Sequence, residues 1–257
     1  MFGMDVEESH LVELEQGVVT TLTLNRPRRH NSLVPELLQS LCSALEAIGR
    51  DPDVRAVVLR ANGASFSTGG DVAAFHDQGR EKVAAYAHNL VGLLNQSMLT
   101  MMALPVPVVC ACHGLVTGGS LGLLLASDLV LVSPKVRIQP YYPVVGFSPD
   151  GGWTAILPGL VGRARVMDVL ATNRPIRARD CVEWGIASRM VDGNIRQEAA
   201  QLAAEIARQI PGSISRTIKL LPDQQAIAAG LEDERTAFVE QIQTEEAWLG
   251  MARFLGR

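Results

Sequence analysis

The sequence predicts an α/β protein whose strands pair largely in parallel. Two features point there. Short segments such as Ala56-Val57-Val58-Leu59 are apolar without alternation, as expected of strands covered on both faces. Between them lie stretches whose apolar residues recur every three or four positions, the period of a helix. Alternating strands and helices favour crossover connections, which make neighbouring strands parallel.

Residues 11–15 and 18–25 read as two strands of a hairpin joined at Gln16-Gly17. Leu37, Leu38, Leu41, Leu45 and Ile48 give residues 35–48 a helical spacing, and Pro35 suits a first turn. Residues 54–60 form a buried strand, and 61–70 are rich in turn formers. A long helix is predicted over 82–103, ended by Pro105 and Pro107. A strand at 108–111, a helix at 118–126 after a tight turn, and a strand at 129–132 follow. Beyond Gly159 the pattern turns helical, at 163–171, 179–184, 197–209, 213–221 and 232–254. The chain divides into a core of residues 1–195 that carries the site and a helical segment of residues 196–257. That segment either covers the core or packs on a neighbouring subunit.

The 257 residues, 47% hydrophobic and 19% charged, support a sizeable core and argue against global disorder. A net charge of -4 argues against a nucleic-acid partner held by counterion release. Residues 1–10 are polar and acidic, with no basic or apolar leader, and the apolar runs at 106–111 and 121–126 are too short for a bilayer. A cytoplasmic protein with no membrane partner is expected. Cys42, Cys110, Cys112 and Cys181 are too sparse for a disulfide framework. Cys110 and Cys112 read as small buried residues on one strand face rather than a metal pair. No phosphate-binding G-x-x-x-x-G-K-[ST] loop, dinucleotide fingerprint or zinc motif is present, so no metal and no separate cofactor are expected.

Gly118-Gly119-Ser120-Leu121-Gly122 fits the G-x-S-x-G elbow of α/β hydrolases. There the acid and then the histidine follow the serine. His10, His30, His76, His88 and His113 all precede Ser120, so that reading lacks its base. The segment has a second use. A helix opening on two glycines offers free N–H groups and a positive dipole end to a ligand. That is an oxyanion site made of backbone; tight helix–strand packing is the plainer alternative. Phe66-Ser67-Thr68-Gly69-Gly70-Asp71 repeats the pattern about fifty residues upstream. Two such turns can bring two N–H groups to one oxygen. A third segment, Gly146-Phe147-Ser148-Pro149-Asp150-Gly151-Gly152-Trp153, holds a carboxylate before paired glycines. Asp150 there is either a helix cap or, in an apolar pocket, a base for a carbon acid.

Together these segments resemble the enoyl-CoA hydratase/isomerase superfamily, the crotonase family. The resemblance covers nearly the whole chain. It includes Leu24-Asn25-Arg26-Pro27 with Asn31-Ser32-Leu33, His113-Gly114, Ala126-Ser127-Asp128 and residues 178–191, besides the three glycine turns. It implies a spiral of β-β-α units with C-terminal helices that build a homotrimer or a dimer of trimers. It implies an acyl-coenzyme A substrate whose thioester oxygen accepts from Gly70 and Gly119, with coenzyme A as part of the substrate. Arg28, Arg29 and His30 become candidates for its phosphates or adenine. Thr68, Gly69, Asp71, Gly118 and Tyr142 fall in the substrate-binding segments.

The departures are informative. Family hydratases use two glutamates to add water; the matching positions are Gly122 and Tyr142. Asp150 matches the Pro-Asp-Gly-Gly aspartate of family isomerases, which moves a proton along the acyl chain. The same position is the nucleophile in the 4-chlorobenzoyl-CoA dehalogenase branch, whose pocket Trp and His correspond to about Tyr142 and Asn95. The resemblance therefore implies an isomerase with Asp150 as its single base. An atypical hydratase, a dehalogenase-like hydrolase and a non-catalytic acyl-CoA binder are the alternatives. Tyr141, Tyr142 and Trp153 are candidates for the acyl pocket wall or for plain core packing.

Overall fold

Strands that are apolar on both faces need cover on both sides, and the fold supplies it. The computed structural model describes residues 10–221 and 223–257. The reading of the N-terminus as leaderless therefore lies outside the described residues, save for His10.

The chain opens with β1 (Val12–Glu15), β2 (Val19–Leu24), α1 (Pro35–Arg50), β3 (Ala56–Ala61), α2 (Val72–Asp77) and α3 (Gly79–Ala103). Next come β4 (Val108–Cys112), β5 (Leu115–Thr117), α4 (Leu121–Leu125), β6 (Leu129–Val132), β7 (Arg137–Gln139), α5 (Tyr142–Val145) and α6 (Leu157–Val161). The remainder is α7 (Arg163–Thr172), β8 (Ile176–Arg177), α8 (Ala178–Glu183), β9 (Arg189–Met190), α9 (Ile195–Ala207), α10 (Pro211–Leu220), α11 (Gln224–Ile242) and α12 (Glu245–Phe254).

The main sheet has the order β1-β2-β3-β4-β6-β9. Only the β1–β2 hairpin in it is antiparallel; each later pair is parallel. Alternate residues of β3 and β4 go to opposite faces, as the strand period demands. Val57, Leu59, Val108 and Cys110 pack with α1 and α3. Ala56, Val58, Val109 and Ala111 pack under Ile195, Ala199 and Ala203 of α9. All four cysteines are buried and free. Burial pushes the Cys110 and Cys112 thiols up, as for inert core residues.

A second, smaller sheet, β5-β7-β8, lies apart from the first. Its strands have two or three residues each, too short to show a period, and the sequence reading passed over them. β5 matters most, since it runs directly into Gly118-Gly119.

The helix expected at 232–254 is two helices. Thr244 ends the run by capping α12, its hydroxyl accepting from Ala247 N at 3.2 Å. α11 also starts earlier than expected, at an Asp223 cap that accepts from Ala226 N. It lies along α3, where Asn95 Nδ2 donates to Leu231 O at 3.0 Å. α12 packs on α5 at glycine: a methyl on Gly146 would come within 2.9 Å of Ala247 Cα. α11 and α12 thus fold back over the core of their own chain.

Candidate active site

The two upstream glycine turns meet. Ser67 bridges in parallel to Val116 of β5, and Gly70 to Leu33. Gly69 (φ 69°) and Gly118 (φ 54°) take left-handed backbone, which glycine adopts at no steric cost. A methyl on Gly69 would also lie 2.5 Å from the Thr117 carbonyl oxygen. Each of these residues hands the chain to the next glycine, Gly70 or Gly119, and both of those line one cavity. Among the described residues, no turn or loop hydrogen bond uses the N–H of Gly70 or Gly119. First-turn N–H groups have no acceptor within their own helix.

Two side chains hold this arrangement. Ser120 is fully buried; its hydroxyl donates to Thr117 O at 2.7 Å and lies 2.9 Å from Ser67 O. It clasps the two turns together and is no exposed nucleophile. Trp153 Nε1 donates to Gly118 O at 2.9 Å from a wholly buried ring. It supports the second glycine turn and does not line the cavity, whereas Tyr141 and Tyr142 do.

Asp150 stands against the second turn. A methyl on Gly119 would lie 2.6 Å from its Oδ2 and 2.8 Å from its Oδ1, so only glycine fits beside the carboxylate. Tyr142 from α5 donates its hydroxyl to Oδ1 at 2.7 Å and accepts from Asp150 N at 3.3 Å. Burial pushes the Asp150 carboxyl up from the ordinary 3.8. The phenol hydrogen bond pulls it back, the charge of Glu234 adds to the rise, and the balance is about 7. Burial and the neighbouring Asp150 push the Tyr142 hydroxyl well up, so the phenol keeps its proton and remains a donor.

Asp150 does not cap the turn that follows it. Glu234 of α11 does: Oε2 accepts from Gly152 N at 2.7 Å, and Oε1 accepts from Thr154 N at 2.6 Å and Ala155 N at 2.9 Å. The Thr154 hydroxyl also donates to Oε1, at 2.7 Å. Sequence reasoning missed Glu234 because Glu232-Asp233-Glu234 looks like a solvated face. The available signal was its place on the apolar stripe Leu231, Glu234, Phe238, Ile242.

The two positions of the hydratase glutamates are filled otherwise. Gly122 is buried, and a methyl there would meet Met98 Sδ at 2.5 Å and Gly151 O at 2.9 Å. The other position holds the Tyr142 phenol just described. Asn95, the position matching the dehalogenase histidine, is buried and donates to Leu231 O rather than lining the cavity.

The cavity holds about 460 Å³. Part of its wall is apolar. Phe75, Phe147 and Phe238 form a cluster with ring centroids 5.2 to 5.8 Å apart. Arg28, Arg29, His30, Thr68 and Asp71 also line the cavity. Arg29 donates to both Asp71 oxygens, at 3.2 and 2.9 Å, and Arg26 adds a bond at 3.1 Å. Asp71 also caps α2 through Ala74 N, so its carboxylate braces the mouth of the cavity. The arginines outweigh burial and lower its carboxyl. His30 Nδ1 lies 3.1 Å from Ser65 Oγ. Phe254 and Leu255 close the far wall. Tyr141 there takes φ 62°, unusual for an aromatic residue, with its N–H held by Asn173 Oδ1 at 2.8 Å. Among the described residues, no cluster of three His, Cys, Asp or Glu could hold a metal ion.

Known proteins resemble this chain in sequence and in fold. The family model for enoyl-CoA hydratase/isomerase matches residues 13–257. A Thermus thermophilus protein whose name assigns it provisionally to the enoyl-CoA hydratases is 34% identical over 82% of this chain and 83% of its own. The 1,2-epoxyphenylacetyl-CoA isomerase of Escherichia coli is 31% identical over 77% of this chain and 76% of its own. A Bacillus halodurans enoyl-CoA hydratase structure superposes with a TM-score of 0.87 at 21% identity, covering 95% of this chain and 99% of that one, and so shares the crotonase fold. By sequence match over nearly its whole described length, the chain belongs to the enoyl-CoA hydratase/isomerase family.

Proposed function

We propose that the protein is an acyl-coenzyme A isomerase that shifts a double bond with one base, Asp150. The observation that carries this reading is the buried Asp150 carboxyl, beside Gly119 and held by Tyr142 rather than spent on a cap. In this reading the thioester oxygen lies between the N–H groups of Gly70 and Gly119. Asp150 removes a C2 proton from a 3-enoyl thioester. The C2–H electrons enter a dienolate whose charge rests on the thioester oxygen. The same carboxyl returns the proton at C4, leaving the double bond between C2 and C3. An acid near neutrality suits both halves of this exchange. Each oxyanion donor is worth about 3 kcal/mol.

Water addition fits poorly here, because Gly122 and Tyr142 leave no pair of glutamates to activate water. Arg28 and Arg29, the latter shared with Asp71, offer positive charge for the coenzyme A phosphates, and His30 a ring nitrogen for hydrogen bonding. The reaction takes no cofactor beyond the coenzyme A of the substrate. A cytoplasmic homotrimer or dimer of trimers goes with the family reading; analytical ultracentrifugation tests the assembly.

The functional test is a paired spectrophotometric assay, 3-hexenoyl-CoA for isomerisation and crotonyl-CoA for hydration, on wild type and Asp150→Asn. Isomerisation lost in the variant, with no appreciable hydration, supports the one-base isomerase. Hydration that survives the substitution overturns it. Tight acyl-CoA binding with turnover of neither substrate would make the protein a binder.

A further inference from the structure

We propose that Glu234 is a positioning residue for Asp150: from α11 it fixes the turn that aims the base and sets a second negative charge behind it. The inference rests on reading Asp150 as the base and goes beyond it, because Glu234 lines no part of the cavity.

Three observations carry it. Glu234 is buried at 4% exposure, among the few charged residues in the core. Burying a carboxylate is costly unless donors satisfy it. Four do: the N–H groups of Gly152, Thr154 and Ala155 and the Thr154 hydroxyl, all between 2.6 and 2.9 Å. These donors come from the residues directly after Asp150, so the carboxylate dictates where that turn sits. Other contacts also fix α11, one to α3 and one to the same turn. Asn95 holds Leu231 O, and a methyl on Gly230 would meet Ala155 Cβ at 2.9 Å. A turn needing only a cap would take a local Asp or Ser. Here the cap arrives from about eighty residues away, bringing a charge close enough to act on the base.

The groups acting on Asp150 come from two elements. Tyr142 of α5 donates a hydrogen bond that favours the ionised form, and Glu234 of α11 repels it. α3 and the second glycine turn face Asp150 with Leu94 and Gly119, which do not titrate. Tyr142 and Glu234 therefore act on the same carboxyl in opposite directions.

The test is 13C NMR titration of the intact protein labelled at aspartate carboxyls, with Asp150→Asn identifying the Asp150 resonance. Glu234→Gln keeps the shape and removes the charge; Glu234→Asp keeps the charge and draws it back by one methylene. The Asp150 midpoint is expected to move to lower pH in Glu234→Gln, and by less in Glu234→Asp. Isomerase kcat should fall in both, by on the order of 10²-fold if the turn shifts by about 1 Å. A folded Glu234→Gln protein whose midpoint stays at the wild-type pH would overturn the proposal and leave Glu234 a plain anchor. If Glu234→Gln does not fold, Glu234→Asp decides in the same way. The midpoint is read without turnover, so a protein that moves its midpoint yet never isomerises 3-hexenoyl-CoA would sink the isomerase reading alone.

Discussion

The Tyr142 hydroxyl donates to Asp150 Oδ1 at 2.7 Å, while Oδ2 takes no hydrogen bond among the described residues. The phenol thus occupies one oxygen and leaves the other beside Gly119. In a one-base isomerisation, Oδ2 is the atom that carries the proton. Tyr142, which the family resemblance matches to a hydratase glutamate, here orients the carboxylate of Asp150.

Asp150→Asn should lower kcat for isomerisation by about 10²–10⁴-fold, the usual contribution of a general base. Binding of a non-reactive acyl-CoA should change little, which isothermal titration calorimetry would show.

Removing the phenol oxygen in Tyr142→Phe should shift the acid limb of kcat/KM to higher pH. The hydrogen bond favours the ionised Asp150, so its loss raises the carboxyl further. A bell that keeps its wild-type midpoint in this variant would argue against the pair acting together.

Stability should depend on pH through the same residue. The folded carboxyl stands at about 7 against 3.8 for an unperturbed one, so the folded state binds the proton more tightly. The associated stabilisation is complete below about pH 4 and is lost as pH rises through about 7. Its upper bound is on the order of 4 kcal/mol. Wild type should lose Tm over that window more steeply than Asp150→Asn, in differential scanning calorimetry across a pH series.

Gly122→Glu should not create a hydratase. Even one methyl meets Met98 Sδ and Gly151 O, so Gly122→Ala alone should cost about 1–3 kcal/mol by overpacking. Chemical denaturation of Gly122→Ala and a crotonyl-CoA assay of Gly122→Glu test the two halves.

Trp153→Phe keeps most of the buried ring and deletes its donor to Gly118 O. Gly118 O keeps its bond from Leu121 N, so losing the indole donor should cost about 0.5–1.5 kcal/mol. It should also lower kcat more than it raises KM, since the oxyanion turn loses its support.

Much of this was legible in the sequence. The strands at 54–60, 108–111 and 129–132 announced themselves by unbroken apolar runs, and the paired glycines by their place after strands. Asp150 stood out as a carboxylate in an apolar segment, though the residues alone favoured a cap and only the family resemblance favoured a base. What settled the cap was Glu234, whose partners lie about eighty residues upstream. A hydrogen bond over that separation leaves no local pattern; only the helical stripe shared with Leu231 and Phe238 hinted that the side chain faces inward. The strands of the second sheet were invisible for a different reason: two or three residues cannot display a period of two. The break at Thr244 was hidden because both flanking helices continue the same mix of charged and apolar residues.

The placement of α11 and α12 over the cavity bears on how the protein comes into being. The parallel sheet and the glycine turns are complete in sequence well before residue 224, and a nascent chain can assemble them as it emerges. Glu234, which holds the turn after Asp150, and Phe238, Phe254 and Leu255, which line the cavity, are translated after them. A half-made chain would display its oxyanion turns with no wall and an unsteadied carboxyl. The cavity is therefore finished only when α11 and α12 dock on the elements that precede them.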